Sequence, residues 1–281
     1  MDLEICSFAS SSSGNSYYIK SGDVSLLVDS GLAAKTIDER LEAVGGAYEK
    51  LTAILVTHEH TDHVKCLHTL MKRRPFRGTV CASRGTQECI ISKTKGISEA
   101  DFFSVKSGDS FWLGGESGAG FEQADGLKVS VFGLSHDTPE PVGYSFERNG
   151  KKAAIVTDTG YISEEIFRAI SGCDVLFIEA NHERNLLLYG RYPYSLKHRI
   201  LSDTGHLSNE DCGGALCRYL RELGGEKIPQ VVLAHLSSEN NTPVQALLTV
   251  RNVLEENDFY VGLDLMLTVA PKDAVSELIV L

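Results

Sequence analysis

The sequence predicts a mixed α and β fold whose strands deliver their ends to one composite site. Two observations carry this reading. Six short apolar runs each lead into an acid or a histidine, and amphipathic stretches of helical period lie between them. In chain order, Val24 to Val28 ends in Asp29 and the helix Ala33 to Val44 follows. Ala53 to Val56 leads to His58, and Leu127 to Leu134 leads to His136. Asn149-Gly150, between Val142 to Arg148 and Lys151 to Val156, is a two-residue hairpin signal, and Ala153 to Val156 leads on to Asp158. After the helix Ser163 to Ile170, Val175 to Ile178 ends in Glu179. The helix Asn209 to Leu223 precedes Val231 to Ala234, which ends in His235, and Val244 to Glu255 is the last helix. The loop 114–126 is glycine-rich and reads as mobile. Neither a linker nor a repeat divides the chain, so residues 1–281 read as a single domain.

Composition excludes several classes of function. The formal net charge is -11, which argues against a protein that wraps nucleic acid non-specifically, because lysine and arginine drive such binding. A local phosphate site stays open: Lys72, Arg73, Arg74 and Arg77 form one basic run, and Arg184, Arg191, Lys197 and Arg199 a looser second set. No run of about 18 apolar residues occurs, and Met-Asp-Leu-Glu-Ile-Cys at the start lacks the charge and apolar core of a signal peptide. The seven cysteines are scattered and read as small buried hydrophobes in a reducing compartment. A cytoplasmic protein is expected.

The densest chemistry is His58-Glu59-His60-Thr61-Asp62-His63, four potential metal ligands in six residues. A strand ending in His-x-His would set both imidazoles on one face, with Asp62 and His63 on the next turn, a geometry suited to two adjacent metals. Imidazole and carboxylate donors select zinc, manganese or iron over thiolate metals. The helical zinc-protease pattern fails, because its fifth position is Asp62.

His58-x-His60-x-Asp62-His63, followed by His136, Asp158 and His235 and preceded by Asp29, resembles the motif series of the metallo-β-lactamase fold. The resemblance implies an α+β fold, a four-layer αβ/βα sandwich of two β-sheets flanked by helices. It makes His58, His60 and His136 the ligands of one metal and Asp62, His63 and His235 those of a second, with Asp158 bridging them. Cysteine in place of Asp158 would have suggested a true β-lactamase. Phe8 to Ile19, the stretch from Asn181 to Asn209 and His235-Leu236-Ser237 through Asn241 resemble more narrowly the YycJ/WalJ-like branch, cytoplasmic metallohydrolases regarded as DNA exonucleases. A more distant likeness to the tRNA 3′-end nuclease places Glu179 and His206 as a proton-transfer pair. That enzyme's Ser-x-Arg-Tyr pattern is missing after His235.

The expected activity is therefore that of a phosphodiesterase using two divalent metals, zinc or manganese, on DNA, with RNA a less favoured partner. The 5′-to-3′ polarity and a role in DNA repair follow from the resemblance alone. Asp62, Glu179 and His206 are the catalytic candidates: His206 would donate a proton to the leaving 3′ oxygen while Glu179 orients its ring. Asp29 reads as a carboxylate holding a metal-bound imidazole from behind. Ser12, Asn15, His182, Arg191, Lys197 and Arg199 are candidate substrate contacts, with Tyr192 or Tyr194 available to stack on a terminal base. The alternatives are a ribonuclease and a glyoxalase II-type thioester hydrolase on the same metal set.

Overall fold

Short turns and parallel crossovers divide the chain into two halves of like architecture. The computed structural model describes residues 2–73, 76–114 and 126–281, so all but the ends of the expected glycine-rich loop, and Arg74 of the first basic run, lie outside the described residues. The first half opens with β1 (Glu4–Ser11), β2 (Gly14–Ser21) and β3 (Val24–Val28), an antiparallel meander joined by two-residue turns. It continues through α1 (Ala34–Ala43), β4 (Ala53–Leu55), α2 (Thr61–Val64), α3 (Leu67–Arg73), β5 (Thr79–Ser83), α4 (Arg84–Lys93) and β6 (Phe102–Val105). Here β3 to β6 pair in parallel, which obliges crossovers.

The second half repeats the plan. β7 (Ser110–Leu113), β8 (Leu127–Gly133), β9 (Val142–Arg148) and β10 (Lys151–Val156) are antiparallel neighbours. They are followed by α5 (Glu164–Ile170), β11 (Val175–Glu179), α6 (Arg184–Tyr189), α7 (Tyr194–Ile200), α8 (Asn209–Leu223), β12 (Gln230–Ala234), α9 (Pro243–Glu255) and β13 (Met266–Val269), with β10 to β13 parallel. β14 (Ile279–Val280) returns to the first half and pairs with β1. Among the described residues the sheet orders are β14-β1-β2-β3-β4-β5-β6 and β13-β12-β11-β10-β9-β8-β7.

Three apolar layers hold these elements together. Between the sheets, Ile5, Tyr17, Leu26 and Leu55 meet Phe111, Val129, Phe146 and Phe177. On the outer face of the first sheet, Ile37 and Leu41 of α1, Leu67 and Leu70 of α3 and Ile90 of α4 pack over Ile54 and Val80. On the outer face of the second, Ile166, Leu216, Leu220, Val250 and Leu254 from α5, α8 and α9 cover Leu176 and Ile178. The αβ/βα sandwich follows. It also explains the unbroken apolar run of β11: Val175 and Phe177 enter the inner layer while Leu176 and Ile178 enter the outer one, so no position faces water.

Local signals agree with the elements they marked. α8 spans the expected Asn209 to Leu223, with Ser208 Oγ accepting from Asp211 N at 3.1 Å and Gly224 left-handed at its end (φ 63°). Asn149 and Gly150 both have positive φ, 52° and 75°, as a type I′ hairpin requires. The sequence predicts a serine-rich turn over Ser10 to Ser13, and the observed turn is shorter. Ser10 and Ser11 belong to β1, paired with Asn15 and Gly14, because the ladder uses their backbone up to the Ser12-Ser13 turn. The seven cysteines are free, and no described helix is long and apolar enough to cross a membrane.

Candidate metal centre

Three of the residues expected at the site stand just past the ends of parallel strands. Asp29 and His235 immediately follow β3 and β12, and Asp158 comes two residues after β10. All three are left-handed, with φ of 61°, 54° and 60°, and they make up three of the five non-glycine residues with positive φ among the described residues. Such a conformation costs of order 1–3 kcal/mol and persists where surrounding contacts over-determine it. The sequence predicts His58 and His60 at the end of a strand, but β4 already ends at Leu55. They lie in the irregular stretch before α2, and their rings still meet edge-on with centroids 4.7 Å apart. Glu59 takes no part and interacts instead with Cys89 of α4.

His58, His63, His136 and His235 share one pattern, with Nδ1 anchored by the protein and Nε2 left for the cluster. His63 Nδ1 lies 2.7 Å from Asp29 Oδ2, and His235 Nδ1 lies 2.8 Å from Glu179 Oε1. His136 Nδ1 is 3.2 Å from Gly205 O, and His58 Nδ1 is 3.0 Å from Thr57 Oγ1. Thr57 Oγ1 in turn donates to Asp29 Oδ2 at 2.8 Å, and Thr57 N donates to Asp29 Oδ1 at 2.8 Å. These acceptors assign the ring protons to Nδ1, the arrangement that points a basic Nε2 at a cation. His58 Nε2, His235 Nε2 and Asp158 Oδ2 are buried with no hydrogen-bond partner among the described residues, a costly state for polar atoms unless a ligand completes them.

The ligand atoms assemble as two triads and a shared acid. His58, His60 and His136 offer one group of atoms within 4.8 Å of one another, and Asp62, His63 and His235 offer another. Asp158 lies between: its Oδ2 is 3.3 Å from His63 Nε2, and its Oδ1 is 3.8 Å from His136 Nε2 and 3.5 Å from His235 Nδ1. Three neutral imidazoles, or two with a carboxylate, suit zinc or manganese, so the residues present fit divalent cations.

A model of the beta-lactamase superfamily domain matches residues 26–236. The chain belongs to that superfamily. Within it, the exodeoxyribonuclease YycJ of Bacillus anthracis is 36% identical over 262 residues, 93% of each chain. The exodeoxyribonuclease WalJ of Streptococcus pneumoniae is 36% identical over 256 residues, 91% of this chain and 90% of that one. This is therefore a superfamily member of the YycJ/WalJ-like branch. Among solved structures, the metallo-beta-lactamase fold protein YhfI from Bacillus subtilis is similar, with a TM-score of 0.67 at 16% identity, covering 98% of this chain and 99% of that one.

Burial sets the electrostatics of this superfamily centre. Burial, and then the charge of His63, hold His58 well below the ordinary histidine range, and burial lowers His136. His63 resists its own burial, because Asp158 and Asp29 raise it to about 10; Asp158 and Glu179 likewise raise His235 to about 9. Without metal, both are protonated at pH 7, so cation uptake must displace a proton from each. Calorimetric titration of the metal-free protein with Mn²⁺ in buffers of different ionisation enthalpy should show about two protons released at pH 7 and fewer toward pH 10. Uptake without proton release would contradict this charge assignment.

Glu179 is the second organising acid. It is fully buried, and its Oε1 holds both His206 Nδ1 and His235 Nδ1 at 2.8 Å, while Oε2 accepts from Thr159 N at 3.0 Å and Leu207 N at 3.3 Å. Burial opposes its charge, but His206 and His235 bring it down to about 2. His206 is partly exposed, and its Nδ1 is 3.8 Å from Asp158 Oδ1.

The remaining candidates separate. Asn15 Nδ2 is 3.0 Å from His63 Nε2 and 3.4 Å from Asp62 Oδ2, at the centre itself. Ser12 is exposed at the tip of the first turn. His182 is buried beside Ser208, with both ring nitrogens lacking hydrogen-bond partners among the described residues. Lys197 donates to Leu188 O and Gly190 O at 2.8 Å each, Arg199 pairs with Asp137, and Arg191 is exposed. Sequence reasoning missed three contributors. Thr57 links His58 to Asp29; Asp137, 3.4 Å from His136 Nε2, ties α7 to the centre through Arg199; and Ser10 Oγ accepts from His235 N at 2.7 Å. Adjacency to a ligand was the available signal for Thr57 and Asp137. Ser10 had none, since it is 225 residues from its partner.

Proposed function

We propose that this chain is a metal-dependent phosphodiesterase that degrades DNA from an end, in the 5′-to-3′ direction. Two features support the reading together: relatives named exodeoxyribonucleases align over more than nine-tenths of the chain, and His206 is fixed by Glu179 beside the ligand cluster. Two divalent ions, zinc or manganese, would be held by His58, His60 and His136 and by Asp62, His63 and His235, with Asp158 shared. Such ions supply charge neutralisation at the phosphate and a nucleophile from water at neutral pH.

The chain's own groups do the rest. The Asp29-Thr57 pair and Glu179 hold the imidazoles in one tautomer, so the site needs little reorganisation when substrate arrives. With Nδ1 committed to Glu179, His206 has Nε2 left to deliver a proton to the leaving 3′ oxygen. Seven free cysteines, all but Cys89 buried, suit a reducing cytoplasm.

The test is linear duplex DNA labelled separately at each end, incubated with manganese-loaded protein beside an Asp62→Ala control. Release of the 5′ label as mononucleotide by the wild type alone is the expected result. DNA left intact while RNA or a thioester is hydrolysed would keep the metal site and overturn the substrate.

A further inference from the structure

The segment from Arg184 to Ile200 combines basic charge with exposed rings. It carries four cations, Arg184, Arg191, Lys197 and Arg199, and no acid, in a chain of net charge -11. It also exposes aromatic surface: Tyr189 is 87% and Tyr194 82% exposed, flanked by half-exposed Leu186 and Leu188. Large rings left in water on a single short segment mark a binding surface more often than an accident of folding.

These rings sit on a rigid mount. Gly190 leaves no room for a side chain, since a Cβ there would lie 2.4 Å from Leu186 O and 2.9 Å from Asn240 Oδ1. Pro193 fixes the entry to α7, and the Lys197 ammonium clamps the two carbonyls at the end of α6. Two tyrosines are therefore presented with little conformational freedom to lose on binding. Arg191, between them in sequence, is exposed and has no partner among the described residues.

The far end of α7 abuts the metal centre. His206 N donates to Ile200 O at 3.0 Å, Gly205 packs on the backbone of Arg199 and Ile200, and Arg199 pairs with Asp137 beside His136. Six residues of helix separate Tyr194 from Ile200, about 9 Å along the axis at 1.5 Å per residue. Two or three stacked nucleotides, at about 3.4 Å each, span that distance.

We propose that the α6–α7 hairpin is a platform for the single-stranded terminus of a DNA substrate, with Tyr189 and Tyr194 stacking on bases and Arg191 on the intervening phosphate. Aromatic faces interleaved with cations are how single strands are held without sequence preference. The proposal rests on the nuclease reading above and adds where the strand lies relative to the metals.

The test compares wild type, Tyr189→Ala/Tyr194→Ala and Tyr189→Phe/Tyr194→Phe, all manganese-loaded, on a single-stranded oligonucleotide and on bis(4-nitrophenyl) phosphate, which has no bases. The alanine pair should lower kcat/KM on DNA through KM, by roughly 5- to 150-fold for each ring removed, far more than on the small diester, with the phenylalanine pair close to wild type. Arg191→Ala should flatten the dependence of log KM on log salt by about 0.7. Equal losses on both substrates, or DNA kinetics unchanged in the alanine pair, overturn the platform and leave the nuclease reading in place. A shift in sedimentation from dimer to monomer in the alanine pair, with DNA kinetics intact, would make the face a subunit interface and also overturn it. A wild type that hydrolyses the small diester but no DNA would bring down the nuclease reading itself.

Discussion

Asp158→Asn should lose most bound metal and reduce turnover by about a thousandfold or more. Asp158 is the acid that lies against both triads, within 3.8 Å of His63, His136 and His235. Asparagine keeps the size and removes the charge, so bound cations would no longer be offset by the acid that the two triads share. Losing several kcal/mol of charge stabilisation corresponds to that factor in rate.

The same change acts on the metal-free protein. Asp158 is buried and held well below the usual carboxylate range; burial opposes its charge, but His235 and His63 outweigh that. Removing one partner of a buried pair costs about 3–5 kcal/mol. Because the folded values of His63 and His235 are raised, the stability they contribute is complete below the ordinary histidine pKa and is lost as pH rises through about 9 to 10. The deficit of Asp158→Asn should therefore be large at pH 6 and shrink by pH 10. Metal content by atomic emission, together with melting of the metal-free protein across pH, tests both parts. A variant that keeps two equivalents of metal and wild-type turnover would sink the assignment.

The second large effect separates His206 from Glu179. His206→Ala should reduce kcat by about 10² to 10⁴ while leaving metal content unchanged, since general-acid groups contribute that much and His206 belongs to neither ligand triad. Glu179→Gln should be worse on both counts. Its Oε1 is the shared acceptor for His206 and His235, and an amide in its place misorients both rings. Loss of an anchor behind a ligand lowers metal affinity by about 10- to 100-fold. Metal lost in His206→Ala would make His206 a ligand, a geometry its place near Asp158, Glu179 and His235 allows.

Much of this centre was legible in the sequence because its chemistry is local. His58 to His63 crowds four donors into six residues, and Asp29, Glu179 and His235 each end an apolar run that could only be a buried strand. The helix Asn209 to Leu223 announced itself through Ser208 and Gly224. The apolar alternation was less informative for β5, which is buried on both faces, and β6, β7, β13 and β14 were not distinguished because at four residues or fewer they are too short for a period of two to show. The short helices α6 and α7 were missed for another reason: each is under two turns and much of its surface is polar or exposed, so helical periodicity had too few residues to show.

The sequence by itself determined the donor types and the strand ends that carry Asp29, Glu179 and His235, since softness and charge belong to the residues. Only the tertiary structure decided which donor faces which. Asp29 reaches His63 across 34 residues, Glu179 reaches His235 across 56, and Ser10 reaches His235 across 225. Lys197 and Arg199 looked like free phosphate grips until the fold gave the first two backbone carbonyls and the second Asp137. Pairings of that kind depend on strand order and on the approach of distant backbones, which side-chain composition along the chain does not encode locally.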